Sequence, residues 1–408
     1  MINAGGSHRF SPTTVLIAGA LILALSLGIR HGFGLFLQPM SEDQGWGREE
    51  FALAIAIQNL VWGAAQPLTG MLADRIGAGK AIVGGAVLYG IGLLAMAYAA
   101  TPLQLSLSAG LLIGLGLSGT SFAVVFGAVS RAVAPERRSL AMGIASAVGS
   151  FGQFAMVPGT LSLIAALGWS AALIALAALA GVMVPLATAF AGYGGRSAPA
   201  ASELGVRDAL AEACAHRGFW LLSFGFFVCG FQVVFIALHL PAYLFDRQLP
   251  LSVGTTVLAL VGLFNVAGTY LAGLWGGRMS KPVLLASIYA LRAVAIALFV
   301  LLPISTWSAY AFGIVIGLLW LSTVPLTNGT VLTLFGVRNM SMLAGIVFLF
   351  HQVGAFFGGW LGGSIYDATG SYDIVWAIAI GLSIVAALLN LPIKEVPVAR
   401  LKAHVGAT

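Results

Sequence analysis

Long apolar stretches, each separated from the next by a short polar break, dominate this sequence. They run for about 20 residues or more, which is the length of α-helix that crosses a hydrocarbon core about 30 Å thick. A transmembrane barrel would instead show weaker, alternating segments of about 10 residues. The stretches predict an all-α integral membrane protein with twelve transmembrane helices, near residues 13–39, 51–72, 80–99, 104–130, 140–165, 170–191, 218–243, 254–275, 282–303, 308–334, 342–365 and 374–393.

Composition supports a lipid environment. Hydrophobic residues make up 60% of the chain and charged residues only 8%, whereas soluble domains carry about 25% charged residues. Because so few polar side chains could face water, the net charge of +6 bears on membrane orientation, and we expect no nucleic-acid partner. The sequence has no phosphate-binding loop, HExxH motif or catalytic acid pair, and Cys214 and Cys229 lack metal-ligand or disulfide spacing. We therefore expect no enzyme, no metal site and no cofactor.

Lysine and arginine are unevenly distributed among the polar breaks. With both termini in the cytoplasm, 15 of the 19 basic residues fall on the cytoplasmic side, and only Arg48 and Arg247 fall outside. This bias follows the positive-inside rule and predicts a multi-pass protein of a bacterial inner membrane with both ends cytoplasmic. The first apolar segment is too long for a cleaved signal peptide, so we expect it to be retained. The two remaining basic residues, Arg30 and Arg292, lie inside predicted helices.

The two halves of the chain match each other at a nearly constant offset. Three pairs of segments align at a shift of 202 or 203 residues: 129–144 with 331–346, 28–39 with 230–241, and 70–80 with 273–281. Two six-helix halves of parallel topology are typical of one transporter architecture, in which the substrate site lies between the halves near the membrane midplane. We expect an N-terminal six-helix bundle at 1–192, a cytoplasmic linker at 193–217 and a C-terminal six-helix bundle at 218–408.

The segment GMLADRIGAGK resembles the signature between helices 2 and 3 of the major facilitator superfamily. Basic positions that usually follow the second glycine hold Ala78 and Gly79 here. The resemblance covers the whole chain and implies two pseudo-symmetric six-helix bundles. It also implies a latch that holds one conformation of an alternating-access cycle, although a charge cluster that only sets topology is the alternative. The latch residues would be Gly70, Asp74, Arg75 and Gly77, with Arg278 in the second copy, where Gly277 replaces the acid.

A narrower resemblance lies in predicted helices 1, 2, 10 and 11. The stretch HQVGAFFGGWLGGSIYDATGSYDIVW is similar to the glycine-rich helix 11 and the D-x-T-G-x-Y loop of monocarboxylate-porter and oxalate:formate-exchanger relatives. In that family pattern a cation of helix 11 meets the substrate carboxylate, and His351 stands at its position. The oxalate-type pattern also has an arginine in helix 8, where this chain has Thr269 and Tyr270. A monocarboxylate therefore fits better than a dicarboxylate.

The charges inside the predicted helices are all of one sign. No aspartate or glutamate falls inside these segments, whereas Arg30 and His31 lie in the first and His351 lies in the eleventh. A transporter of organic cations needs a buried acid as counter-charge. An arginine near the bilayer centre costs about 2.5–3.5 kcal/mol on insertion scales, and a bound anion would offset that cost. The sequence therefore predicts a cationic cavity and a small organic anion as substrate.

Individual roles follow from helix geometry. We assign Arg30 to the substrate carboxylate; the alternative is an arginine that snorkels outward or is held by backbone carbonyls. His31 points about 100° away from Arg30, which favours a helix contact. His351 could bind the anion or carry a proton, and His31 is the second candidate for proton coupling. Other candidates for polar or aromatic lining are Gln66, Asn265, Tyr270 and Trp320, whereas we expect Arg292 to be structural, paired with a polar neighbour or the lipid interface.

Together these features predict a monomeric secondary transporter that moves a small organic anion, most simply a monocarboxylate, with a proton. The alternative in the same fold is a proton-driven exporter of drugs or amphiphiles, which would act on cationic compounds and bind no carboxylate. The alternative from another class is a receptor or assembly factor on a transporter scaffold, which would show no substrate flux. The expected partners are the substrate, the proton and the lipid bilayer.

Overall fold

The computed structural model describes residues 10–46, 48–191, 205–399 and 401, and its regular secondary structure in these ranges is helical. The predicted boundary at residue 192 and much of the linker lie outside them. The first half contains α1 (Pro12–His31), α2 (Leu37–Gln44), α3 (Arg48–Ile76), α4 (Ala78–Ala97), α5 (Pro102–Leu105), α6 (Ile113–Thr120), α7 (Phe122–Ala132), α8 (Arg138–Leu167), α9 (Trp169–Gly181) and α10 (Met183–Ala187). A π-helical segment, Ser106–Leu112, joins α5 to α6.

The second half begins with a short linker helix. It contains α11 (Val206–Ala215), α12 (Arg217–Asp246), α13 (Leu251–Gly276), α14 (Lys281–Leu301), α15 (Thr306–Leu319), α16 (Thr323–Phe335), α17 (Met340–Thr369) and α18 (Asp373–Asn390). Local sequence signals explain several boundaries. Ser11 and Thr101 each accept a backbone N–H and precede a proline, which is the usual start of a helix. Gly77 and Gly168 have positive φ angles of 103° and 81°, where glycine avoids steric strain between helices.

Eleven helical stretches of the described chain are long and apolar enough to cross a membrane. Helix α3 is not among them, although its 29 residues exceed the length of a membrane crossing. Its sequence, REEFALAIAIQNLVWGAAQPLTGMLADRI, carries charges at both ends and amides in the middle, which lower its apolar character. With α3 the architecture agrees with the predicted twelve-helix fold.

Helix packing repeats between the two halves. In the first half α1 packs on α8, α3 on α6 and α4 on α9; in the second half α12 packs on α17, α13 on α15 and α14 on α18. These are the same pairs displaced by six transmembrane helices. The contacts between the halves are related in the same way, because α3 packs on α17 and α8 on α13. Helices that are related by the offset of about 202 residues in the sequence therefore pack in the same way in the structure.

The halves touch most closely at the end of the bundle that the sequence predicts to be cytoplasmic. A Cβ atom on Gly70 of α3 would overlap the carbonyl group of Ser341 in α17. A Cβ atom on Gly143 of α8 would lie 2.5 Å from the Cα atom of Gly273 in α13. Only glycine allows such close approach of two helix backbones. The structure is therefore closed at this end.

Candidate functional site

Two transmembrane helices are interrupted at corresponding places. Helix α6 ends at Thr120, Ser121 is extended with φ −97° and ψ 178°, and α7 begins at the next residue. In the second half, α15 ends before Trp320 and α16 begins at Thr323. The apolar runs near 104–130 and 308–334 predict one continuous helix at each of these places. Interrupted helices near the midplane are a recurring feature of transporter binding sites, because they expose backbone groups and helix ends.

Both interruptions face one central cavity. It encloses about 770 Å³ of atom-free space, part of which is continuous with the outside. Its walls are formed by the two interruptions and by helices α1, α3, α7, α8, α12, α16 and α17. Both halves of the chain therefore contribute to the cavity. The lining residues are Leu27, Arg30, His31, Asn59, Trp62, Ser121, Phe122, Ala123, Gln153, Phe226, Val233, Val234, Trp320, Leu321, Val324, Asn328, Ala344, Phe348, His351 and Gln352.

Arg30 is the cation of this cavity. Its Nη2 donates to Asn59 Oδ1 at 2.5 Å, and its guanidinium carbon lies 5.0 Å from the centre of the Trp62 ring. Its Nε is buried and has no hydrogen-bond partner among the described residues. No aspartate or glutamate of the described chain lines the cavity, and none forms an ion pair with Arg30. A guanidinium held by an amide and a ring keeps donors free for an anion.

His31 also lines the cavity, next to Arg30, and it makes the expected contact with its own helix. Helix α1 ends at this residue, and its ring Nδ1 lies 2.7 Å from the carbonyl oxygen of Leu27 one turn earlier. The predicted helix over 13–39 therefore stops early, and a short 3₁₀ turn, Phe33–Phe36, follows it.

His351 of α17 lies in the opposite wall, between two aromatic rings. Its ring centroid is 4.8 Å from that of Phe226 and 5.4 Å from that of Phe348. Its Nδ1 donates to Gln352 Oε1 at 3.2 Å, and Gln352 Nε2 donates to the carbonyl oxygen of Asn59 at 3.3 Å. Since Asn59 also accepts from Arg30, a chain of polar contacts joins the two predicted substrate-binding residues across the halves.

Gln66 and Asn265 do not line the cavity; each fixes one of the interruptions. Gln66 is fully buried, donates to the carbonyl oxygen of Ser118 at 2.9 Å, and accepts from both Ser121 Oγ and Trp62 Nε1. Asn265 accepts from the backbone N–H of Leu321 at 2.9 Å. The two amides therefore hold the walls of the cavity from behind. Sequence reasoning found them as polar residues in apolar helices but could not place them.

The remaining lining candidates separate clearly. Trp320 lies in the cavity wall at the second interruption. Tyr270 does not, because its side chain is 43% exposed and is absent from the lining. Sequence reasoning missed Asn59, Gln153 and Asn328, whose only signal was an amide within an apolar helix.

Arg292 of α14 agrees with its predicted structural role. It is 2% exposed, and its guanidinium donates to the carbonyl oxygens of Leu319 and Trp320 and to Gln232 Oε1. Those two carbonyl groups belong to the end of α15, where the next turn of helix is missing. A buried cation at a helix C-terminus satisfies carbonyl groups that would otherwise lack donors.

The predicted latch residues lie at the closed end. Asp74 pairs with Nη1 of Arg131 at 2.9 Å, and its other oxygen accepts from the backbone N–H of Met342 at 3.0 Å. Met342 is in the first turn of α17, so the carboxylate bridges the two halves at a helix N-terminus. Arg131, which sequence reasoning did not select, also donates to the carbonyl oxygen of Val337. Arg75 and Arg278 are exposed instead.

Twelve membrane-crossing helices in two repeated halves around a shared central cavity are the architecture of a membrane transporter. The sequence profile of the Major Facilitator Superfamily matches residues 15–359, and the chain belongs to that family. The superfamily resemblance is thereby confirmed, and enzyme activity is not expected.

Curated relatives cover nearly the whole chain at low identity. An uncharacterized MFS-type transporter, YcxA of Bacillus subtilis, is 26% identical over 386 residues, covering 90% of this chain and 92% of the relative. Monocarboxylate transporter 11 of Homo sapiens is 28% identical over 374 residues, covering 88% and 78%. Monocarboxylate transporter 13 of Rattus norvegicus is 27% identical over 394 residues, covering 91% and 88%.

A solved structure shows the same fold. The fucose:proton symporter FucP of Escherichia coli superposes with a TM-score of 0.68, covering 93% of this chain and 97% of that one at 15% identity. At this identity the comparison supports the architecture and says nothing of the substrate.

Proposed function

We propose that this protein is a secondary transporter that moves a small organic monocarboxylate together with a proton by alternating access. The observation that carries the proposal is the Arg30 guanidinium in the central cavity, with no acidic partner among the described residues. An unpaired charge in a protein interior is costly, whereas an anion that replaces its lost hydration makes the same group favourable. The names of two relatives, monocarboxylate transporters 11 and 13, support the same substrate class.

One fixed cation and one histidine match a single carboxylate. Arg30 binds the carboxylate, and His351 binds it from the opposite wall or carries the proton. His31 is the second proton carrier to test, since it lines the same cavity. A protonated histidine adds positive charge, so binding of the anion strengthens as the pH falls.

The latch describes one state of the cycle. With the predicted cytoplasmic end closed by Asp74, Arg131 and the first turn of α17, the cavity would be reached from the outer side. Opening of this end and closure of the other would expose the substrate to the cytoplasm. In this proposal the protein acts as a monomer in a bacterial inner membrane with both termini cytoplasmic, and residues 193–217 link bundles at 1–192 and 218–408.

Uptake into proteoliposomes tests the proposal. A radiolabelled carboxylate should enter saturably when the outside is acidic, and uptake should be abolished by Arg30→Gln. Wild-type uptake by that variant would contradict the role of Arg30, and uptake independent of the pH gradient would contradict proton coupling. Extrusion of cationic compounds with no carboxylate binding would instead identify a drug or amphiphile exporter.

His351→Gln separates binding from coupling. If His351 carries the proton, the variant should still exchange labelled for unlabelled carboxylate at equal pH, but it should not accumulate substrate under a pH gradient. His31→Gln is the matched variant on the other wall. Accumulation that survives in both would exclude these two residues as proton carriers.

A further inference from the structure

Two residues that line the cavity each have a buried polar atom without a hydrogen-bond partner among the described residues. One is Arg30 Nε, a donor, and the other is Asn328 Oδ1, an acceptor. Buried polar atoms in folded proteins are nearly always partnered, so each exception calls for an explanation. A substrate carboxylate explains the first atom. The second atom accepts hydrogen bonds and cannot bind a carboxylate, so it calls for a different group.

Asn328 lines the cavity, and its amide has a fixed orientation. Its Nδ2 donates to the carbonyl oxygen of Val324 at 2.9 Å, and this bond determines which end of the amide is free. The side chain is 6% exposed, on α16 beyond the second interruption. A leucine of similar size would complete an apolar wall at this position without an unsatisfied oxygen. The amide therefore fits a ligand that donates a hydrogen bond.

The two residues lie at different depths along their helices. Ser26 Oγ contacts Thr120 Oγ1 at 2.7 Å, at the end of α6, and Arg30 is four residues further along α1, about 6 Å towards the outer end. Asn328 is five residues into α16, about 7.5 Å from its start in the opposite direction. Helical side chains lean towards the N-terminus of their own helix, so both lean towards the level of the interruptions.

Aromatic and aliphatic side chains form much of the cavity wall. Phe122, Trp320 and Phe348 line it, and Trp62 lies under the guanidinium. From these helix rises the two residues are about 13 Å apart along the axis, which is longer than a two- or three-carbon acid. A flat, ring-sized body would fill the space and contact these aromatic side chains.

We propose that the preferred substrate is an amphipathic carboxylate with a hydroxyl or amino donor at the end remote from the carboxylate, the donor bound by Asn328. This inference rests on the proposed function and narrows its substrate class. Asn328 acts here as a specificity residue. A site that provides a buried acceptor discriminates against analogues that lack the donor, because the acceptor then stays desolvated and unpaired.

Matched ligands test the proposal on the wild-type protein. In lipid nanodiscs, 4-hydroxyphenylacetate should bind about tenfold more tightly than phenylacetate, and both should bind more tightly than acetate or L-lactate. The pair 3-(4-hydroxyphenyl)propionate and 3-phenylpropionate repeats the comparison at a greater length. Equal affinities within both pairs would overturn the proposal.

Substitution assigns the discrimination to one residue. Asn328→Leu should bring the hydroxylated and unhydroxylated acids to equal affinity, and Asn328→Ala is the second variant if leucine impairs folding. Val234→Ala, another change in the cavity wall, should preserve the ratio between the two acids even if both bind more weakly. A ratio unchanged in Asn328→Leu and Asn328→Ala would overturn the assignment.

The outcomes separate this inference from the proposed function. If no carboxylate binds the wild-type protein, or if Arg30→Gln binds carboxylates normally, the proposed function fails and this inference fails with it. If carboxylates bind through Arg30 without any preference for the hydroxyl group, only the present inference fails.

Discussion

Arg30 and Arg292 are both arginines inside apolar helices, one in each half, and their surroundings are opposite. Arg292 is surrounded by acceptors: two carbonyl groups at the end of α15 and the amide oxygen of Gln232. Arg30 has one amide oxygen and the face of Trp62, and it opens onto a cavity. The guanidinium of Arg292 is thus bound by acceptors of the protein itself, whereas the guanidinium of Arg30 keeps a donor for a ligand.

The repeat makes the comparison sharper. At the shift of 202 residues, the position equivalent to Arg30 is Gln232. In the second half this glutamine accepts a hydrogen bond from Arg292 and donates one to the carbonyl oxygen of Ala379. In the first half the arginine itself occupies that position. A pseudo-symmetric fold can therefore carry a charge in one half only. The hydrogen-bond partners of a buried cation indicate better than its position whether it binds a ligand.

The largest expected effect separates the two arginines by function. Arg30→Gln should weaken carboxylate binding about 100-fold, because truncating one partner of a desolvated charge pair costs about 3 kcal/mol. Its melting temperature should change little, since the side chain makes few protein contacts. Titration calorimetry and thermal unfolding of the same sample measure both, with Arg30→Lys as the charge-retaining control. An unfolded or strongly destabilised Arg30→Gln would erase the distinction from Arg292.

Arg292→Met should show the reverse pattern. Removing the guanidinium leaves the carbonyl groups of Leu319 and Trp320 without these donors, and we expect a loss of about 3 kcal/mol in stability. Thermal unfolding in detergent should show a lower midpoint and a lower folded yield. Arg292→Lys should recover part of the loss, because an ammonium can still donate to carbonyl groups. If the variant kept wild-type stability but lost carboxylate binding, Arg292 would be a substrate-binding residue and not a structural one.

The latch gives the next effect, on conformation. Asp74→Asn removes the ion pair with Arg131 and weakens the contact with the first turn of α17, so the closed end should open more often. In a background without the exposed Cys214, a cysteine at Val234 should react about tenfold more slowly with an outside thiol reagent. Glu136→Gln, a nearby acid outside the latch, is the matched control. A rate unchanged by Asp74→Asn would refute the latch.

The smallest effects compare the two buried amides. Gln66→Leu and Asn265→Leu should each destabilise the protein by about 1–2 kcal/mol, because each leaves buried backbone or side-chain groups unpaired. Only Gln66→Leu should also weaken carboxylate binding, since Gln66 orients Trp62 beneath Arg30. Binding that is lost equally in both variants would show that the interruptions act symmetrically.

Much of the architecture could be predicted because it depends on solvent and repetition. The apolar stretches require helices in lipid, and the offset of 202 residues predicts the repeated packing that the structure shows. The positive charge of the cavity could also be predicted from the sequence, because Arg30 lies in an apolar helix and no predicted helix contains an acid that could neutralise it. The helix interruptions at Ser121 and Trp320 could not be predicted. Both lie in continuous apolar runs, and their backbone groups form hydrogen bonds with residues that are distant in the sequence.

By itself, the sequence determined that this chain crosses a membrane with helices, that its halves repeat, and that the intramembrane charge is positive. These properties follow from composition and order, which act through the solvent and along each helix. Only the tertiary structure decided that Gln66 and Asn265 lie behind the cavity wall, that Tyr270 lies elsewhere, and that Asn328 lines the cavity. The physical reason is that helix periodicity fixes the angle between side chains on one helix, whereas the partner that each face meets depends on how all the helices pack.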